Sequence, residues 1–293
     1  MRCSRVRAWS FLSVALLSVS AAAQAQGQGQ SAAKAKLYNT ARQKLLDGKQ
    51  IFSFTQFKPD AASYCESAKH YDYAWIDMQH SALNFGDIER MLAACPHSNA
   101  IPIIRVSDAQ EWMIQQATDV GALGIVVPTV DDASKAREAA KWLRYPPNAH
   151  RSSGQGLFRT LWGDPSLNYR QTVDDNMLLI VMIETPVGVA NAFDIASVPG
   201  VDVVIIGNND LTQFSGFAAT DPRYQQMVTK IHDDTLKAGK IFGQANSSFA
   251  TGHPLSGSSF FFQNGPSNDG WKPPAAGGRG GTGNPSAPPP GKR

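Results

Sequence analysis

The sequence predicts an α/β fold of the (β/α)8 TIM-barrel type. Eight short, continuous apolar runs recur along the chain, as expected of parallel strands covered on both faces, and helical patterns separate them. No Gly-rich phosphate-binding turn follows the first run, which ranks a doubly wound open sheet behind the barrel. The chain has 293 residues, 42% of them hydrophobic and 17% charged, enough for one large core or two small ones.

An amphipathic helix is predicted first, over Ala32–Asp47. The strands follow at Ile51–Phe57, Tyr73–Asp77, Ile101–Val106, Gly124–Val130, Leu178–Glu184, Val201–Gly207, Ile241–Ala245 and Ser259–Gln263. Helices are expected at Asp60–His70, at Phe85–His97 and after Asp132 as N-cap up to Leu143. The clearest runs from Asp221 to Lys237, with an Asp cap, Pro222 at the first helical position and Gly239 past the end. Past the eighth strand no helix is legible, so the last helix of the repeat is truncated or missing.

The two ends read differently from the body. Residues 1–25 have the pattern of a secretory signal peptide: Arg2, Arg5 and Arg7, an apolar run over Ala8–Val19, and a small-residue site ending at Ala25. The run is short for a bilayer span, so the expectation is an exported (periplasmic or secreted) protein with no membrane association after cleavage. Residues 26–271 would form the barrel. Residues 272–293 are Gly/Pro-rich and expected to be disordered. Losing the three leader arginines takes the formal charge from +3 to zero. The tail holds four more cations (Lys272, Arg279, Lys292 and Arg293), so the body is net acidic, which argues against a nucleic-acid partner. Cys3 leaves with the leader. Cys65 and Cys95 lie on successive helices, and the sequence leaves two readings: a disulfide, or two buried thiols.

In an α/β barrel, chemistry sits at the carboxyl ends of the strands. There the second strand ends in Asp77, followed by Gln79 and His80; the third ends in Arg105; the fifth ends in Glu184; the sixth runs into Asn209 and Asp210. Asp210 follows Glu184 by about one strand–helix repeat, which lifts both acids to one rim and makes a seat for a hard divalent cation. The chemistry that suits this set is metal-assisted enolisation of a keto acid. Arg105 would supply fixed positive charge beside the enolate oxygen, and His80 would relay protons. Asp77 would orient Arg105 or His80, and backbone N–H groups at Asn209 and Asp210 would hold the substrate carboxylate. On spacing alone, a metal-free buried ion pair between Glu184 and Arg105 is an equal reading. Asp77 could equally cap its own loop, and His80 could be an ordinary loop histidine. The other histidines of the body (His70, His97, His150, His232 and His253) show no ligand spacing and read as surface or loop residues. Asp119 falls near a helix C-terminus, far from its own rim; it is either solvated or a contributor to a neighbouring subunit's site.

Several stretches resemble the HpcH/HpaI aldolase/citrate lyase family: Trp75–His80, Pro102–Val106, Asp119–Ala122, Val127–Pro128, Arg144–Pro147, Ile183–Thr185 with Gly188–Val189, and Pro199–Asp202 through Gly207 to Asp210–Leu211. The resemblance implies a barrel of the phosphoenolpyruvate/pyruvate-domain type, a homo-oligomer, and Mg2+ or Mn2+ on Glu184 and Asp210. It implies a 2-keto acid and an aldehyde as small-molecule partners. Arg105 would stabilise the enolate, and His80 with Asp119 from an adjacent subunit would form a proton-relay dyad. Three positions depart from the family pattern: Gln79 where Glu is common, Met182 where Gln is common, and Asn208 where Pro is common. The sequence therefore reads as a divalent-metal-dependent aldolase that splits a 4-hydroxy-2-keto acid into pyruvate and an aldehyde. The rivals are a citrate-lyase-like acyl-CoA lyase and a secreted keto-acid- or metal-binding protein without turnover.

Overall fold

The structure, a computed structural model, describes residues 37–154, 156–162, 168–246 and 255–273. The expected leader, nearly all of the expected tail and His253 lie outside them. Eight parallel strands form a closed barrel in chain order: β1 (Ile51–Gln56), β2 (Tyr73–Asp77), β3 (Ile101–Arg105), β4 (Gly124–Val127), β5 (Leu178–Ile183), β6 (Val203–Ile206), β7 (Ile241–Asn246) and β8 (Phe261–Asn264). β8 closes on β1 through Ile51↔Phe261 and Phe52↔Phe262. The predicted barrel is the fold.

The helices are α1 (Thr40–Leu46), α2 (Ala61–Ser67), α3 (Phe85–Ala94), α4 (Glu111–Asp119), α5 (Ala133–Leu143), α6 (Gly156–Trp162), α7 (Tyr169–Asn176), α8 (Pro186–Ala190), α9 (Ala192–Ala196), α10 (Asn208–Ser215) and α11 (Pro222–Lys237). Side-chain caps explain where many begin. Asp60, Asp132 and Asp221 accept from the first-turn backbone N–H groups of α2, α5 and α11. Asn84 and Asp87 close a reciprocal capping box on α3. α1 starts at Thr40 because Asn39 caps it, residues 32–36 of the predicted helix lying outside the described residues, and the buried amide of Asn39 is also tied to the carbonyls of Leu123 and Asn176. The sequence reading missed α6–α10, short helices whose apolar positions are too few to show a period.

β2 to β6 are buried along their whole length, whereas β1 and β8 are partly exposed. After β8 the described chain forms no helix; an irregular strap, 265–273, with a turn at Asn268 and Asp269, packs on His70 and Asp72 instead. It is held by Trp271 stacked on His70 at 4.5 Å, by His70 Nδ1 paired with Asp269 at 2.7 Å, and by Asn268 donating to Asp72 at 3.1 Å.

Cys65 in α2 and Cys95 at the end of α3 form a disulfide with their Cα atoms 5.7 Å apart, which excludes the two-thiol reading. His232 corrects another expectation. It is not a surface or loop residue but is 7% exposed on α11, with Nε2 2.6 Å from the Ser258 hydroxyl, because that turn of the amphipathic helix faces the barrel. Among the described residues no helix is long and apolar enough to cross a membrane.

Candidate active site

A cavity of about 260 Å3 opens at the carboxyl ends of the strands, lined by Phe57, Asp77, His80, Arg105, Met182, Glu184, Gly207, Asn208, Asn209, Asp210, Ala245 and Gln263. A larger cavity, about 510 Å3, lies at the opposite end beside α1; its one acid, Asp72, is already paired with Lys44. Position in the barrel and unspent chemistry, not volume, mark the smaller cavity as the site.

Asp77 ends β2 directly beside Arg105, which ends β3. The Arg105 guanidinium donates from Nε to Asp77 Oδ1 at 3.1 Å and from Nη2 to Oδ2. Asp77 Oδ1 also accepts the backbone N–H groups of Gln79 at 3.0 Å and His80 at 3.1 Å. One buried carboxylate thus orients the arginine and folds the loop that carries His80. The open reading of a Glu184–Arg105 ion pair is excluded: Arg105 pairs with Asp77 instead. His80 itself is exposed at the cavity.

Glu184, 1% exposed, follows β5. Its Oε1 accepts from the backbone N–H of Thr129 at 2.7 Å and from the Thr129 hydroxyl at 2.8 Å. Thr129 went unnoticed in the sequence. β4 ends at Val127 rather than Val130 because Thr129 turns to φ 49°, aiming both donors across at β5. The other oxygen, Oε2, faces Gly207, where a Cβ would sit only 2.2 Å away. Burial pushes the Glu184 carboxyl above the usual carboxylate range, the facing charge of Asp210 adds to the shift, and the Thr129 bonds oppose it.

Asp210 lies in the first turn of α10, and its carboxylate accepts no hydrogen bond among the described residues. Gly207, the N-cap, has no side chain to satisfy that first turn, whose residues Asn208, Asn209 and Asp210 line the cavity. Two carboxylates with free oxygens, one raised by burial and like charge, fit a hard cation that keeps most of its ligands as water or substrate oxygens. Among the described residues no group of three or more His, Cys, Asp or Glu side chains is placed to hold a metal, so such a cation would have only these two carboxylates as charged ligands.

Two expected site residues do not line the cavity. Gln79 is turned away, with Oε1 buried and unpartnered. Asp119 ends α4, at the opposite end of the barrel, where it accepts from Arg151 Nη2 at 2.9 Å and from Gln115 at 2.8 Å. Asp119 is partly exposed but not unpaired: its partner Arg151 is 2% exposed and packs over the Tyr145 ring at 4.7 Å.

A closed parallel barrel with acids, an arginine and a histidine at its strand ends defines an enzyme of the α/β-barrel class. Residues 52–257 match the family described as HpcH/HpaI aldolase/citrate lyase. The hydroxypyruvate/pyruvate aldolase of Delftia acidovorans is 36% identical over 175 residues, 59% of this chain and 65% of that protein. The enzyme of the same name from Roseovarius nubinhibens is 31% identical over 208 residues, 71% of this chain and 80% of that protein. A solved HpcH/HpaI aldolase/citrate lyase family protein from Burkholderia cenocepacia shares the fold, with a TM-score of 0.69 at 24% identity over 77% of this chain and 92% of its own. The chain belongs to the HpcH/HpaI aldolase/citrate lyase family, and it is an aldolase-type carbon–carbon lyase.

Proposed function

We propose that the protein is a divalent-metal-dependent aldolase that cleaves or forms the C3–C4 bond of a 4-hydroxy-2-keto acid, with pyruvate and an aldehyde as the fragments. The observation that carries this reading is the convergence of Glu184, packed against the bare Cα of Gly207, and Asp210 on one cavity, beside an arginine fixed by Asp77. Glu184 and Asp210 would hold Mg2+ or Mn2+, which supplies Lewis-acid stabilisation of the enolate oxygen when bound.

The chain's own residues do the rest. The N–H groups of the first turn of α10 bind the keto-acid carboxylate. Arg105, held in plane by Asp77, places a guanidinium beside the keto oxygen, where negative charge grows in the transition state. His80 stands at the mouth, placed by the Asp77 bond to its backbone N–H, and moves the proton of the 4-hydroxyl, directly or through water. Met182, buried under the cavity, offers no proton and leaves that step to His80. A His80–Asp119 dyad would require a second copy of the chain, because the two lie at opposite ends of one barrel.

Pyruvate release from 4-hydroxy-2-keto acids, measured with EDTA and then with added Mg2+ or Mn2+, tests the proposal. Turnover should vanish with the chelator and return with the ion. Turnover indifferent to EDTA would remove Glu184 and Asp210 from their role.

A further inference from the structure

The cavity wall divides in two. β2, β3, β5 and the start of α10 carry the charged groups assigned above. The other side is made of Phe57 after β1, Ala245 in β7, Gln263 in β8 and Asn208 at the start of α10. This second wall holds no charge among the described residues. Arg105, the one arginine in the cavity, spends its Nε and Nη2 edge on Asp77, and its remaining donors are assigned above to the keto oxygen. Lys58, next to Phe57 in the chain, lines a separate groove beside α2.

The wall instead presents two carboxamides. Asn208 Oδ1 accepts a hydrogen bond from the buried hydroxyl of Tyr224 at 3.0 Å. With the acceptor end fixed from behind, the amide N–H2 is the end left to donate, and it bonds no described residue. The Gln263 side chain likewise makes no hydrogen bond among the described residues and has both a donor and an acceptor to offer. Amide groups of this kind discriminate strongly for a ligand hydroxyl, because a ligand lacking one leaves them unsatisfied. The cavity, about 260 Å3, lies below the range of drug-sized pockets and limits what fits beside a keto acid.

We propose that the acceptor is a small, uncharged hydroxyaldehyde, recognised by the carboxamides of Asn208 and Gln263 rather than by a cation. The proposal rests on the aldolase reading above. In the synthetic direction the pyruvate methyl carbon bonds the aldehyde carbon; the proton lost from the methyl is matched by one gained at the aldehyde oxygen, and no oxidant is needed.

The test uses the mature protein with Mg2+ or Mn2+ and two readouts. Deuterium exchange into the pyruvate methyl reports enolisation without any acceptor. Bond formation with glycolaldehyde, propanal and glyoxylate then compares a hydroxylated, an apolar and a carboxylated aldehyde. We expect exchange, with kcat/KM for glycolaldehyde at least about 10-fold above both others. Asn208→Leu and Gln263→Leu should each pull the glycolaldehyde-to-propanal ratio toward one. Exchange with a preference for glyoxylate, or with no preference for the hydroxyl, would overturn the acceptor assignment and leave the aldolase reading standing. Absence of both exchange and bond formation would overturn that reading and the acceptor assignment with it. The wild-type comparison decides even where a variant fails to fold.

Discussion

Asp77 grips Arg105 through both carboxylate oxygens, and the same carboxylate accepts the backbone N–H of His80. Two groups with different proposed tasks, one electrostatic and one protic, are therefore referenced to a single buried acid. Asp77→Asn should keep the fold and lose about 100-fold in turnover, the scale expected when a catalytic group is displaced by about 1 Å. Asp77→Ala should also destabilise the protein by about 3–5 kcal/mol, because it strands a buried guanidinium. Steady-state kinetics and thermal melting separate the two effects.

The metal role proposed for Glu184 links stability to pH. Burial raises its carboxyl pKa in the folded state, with Asp210 contributing. A raised folded value favours the protonated form, so its stabilising contribution is complete below the unfolded value and disappears as pH rises through the folded one. Relative to Glu184→Gln, the metal-free wild type should thus lose melting temperature as pH climbs from the acid range toward neutrality, and Mg2+ or Mn2+ should restore it. Glu184→Gln should be at least as stable as the metal-free wild type at neutral pH. It should show no metal-dependent rise and no turnover.

Gly207 allows the close approach of Glu184. An added Cβ would meet Oε2 at 2.2 Å and the Glu184 Cβ at 2.7 Å, while the backbone there, at φ −87°, strains no L-residue. Gly207→Ala should therefore act by moving Glu184. Overpacking of this kind costs about 1–3 kcal/mol of stability. Metal affinity, read by titration calorimetry, should fall more than that stability loss alone accounts for.

Much of this site was legible before the structure, and the reason is geometric. Strand ends in a parallel barrel all face one rim, so Asp77, Arg105, Glu184 and Asp210 could be placed by counting strands. What could not be read was set by contacts across strands. Thr129 acts through a left-handed backbone turn that nothing but Pro128 hints at. Asn208 showed as a departure from a family pattern, but its orientation depends on Tyr224 in α11. Gln79 has the right position in the chain and still points away from the cavity, because the loop curls around Asp77. Asp119 looked exposed from its place at a helix end, yet it partners Arg151, 32 positions further on.

The Cys65–Cys95 bridge ties α2 to α3 across a separation of 30 residues. Closing a loop of that length should stabilise the fold by about 3–4 kcal/mol through the unfolded state. The protein without its first 25 residues should show no titratable thiol when denatured unreduced. Cys65→Ser with Cys95→Ser should lower the denaturation midpoint by the corresponding amount and leave the metal dependence of turnover unchanged in sign. Two free thiols in the unreduced protein would contradict the bridge.

Asp119 offers a test of assembly. Its carboxylate neutralises Arg151, whose side chain is fully buried, so Asp119→Ala would disturb folding as well as function. Asp119→Asn retains a hydrogen-bond acceptor for Arg151 and removes only the charge, which makes it the informative variant. If Asp119 serves His80 of a second copy, His80→Ala and Asp119→Asn should each be nearly inactive alone. Refolded together in equal amounts, they should recover activity: in a randomly paired symmetric dimer about a quarter of the sites would draw both intact residues from different copies. Recovery that depends on protein concentration would establish the shared site. No recovery, with Asp119→Asn fully active by itself, would confine Asp119 to its pairing with Arg151.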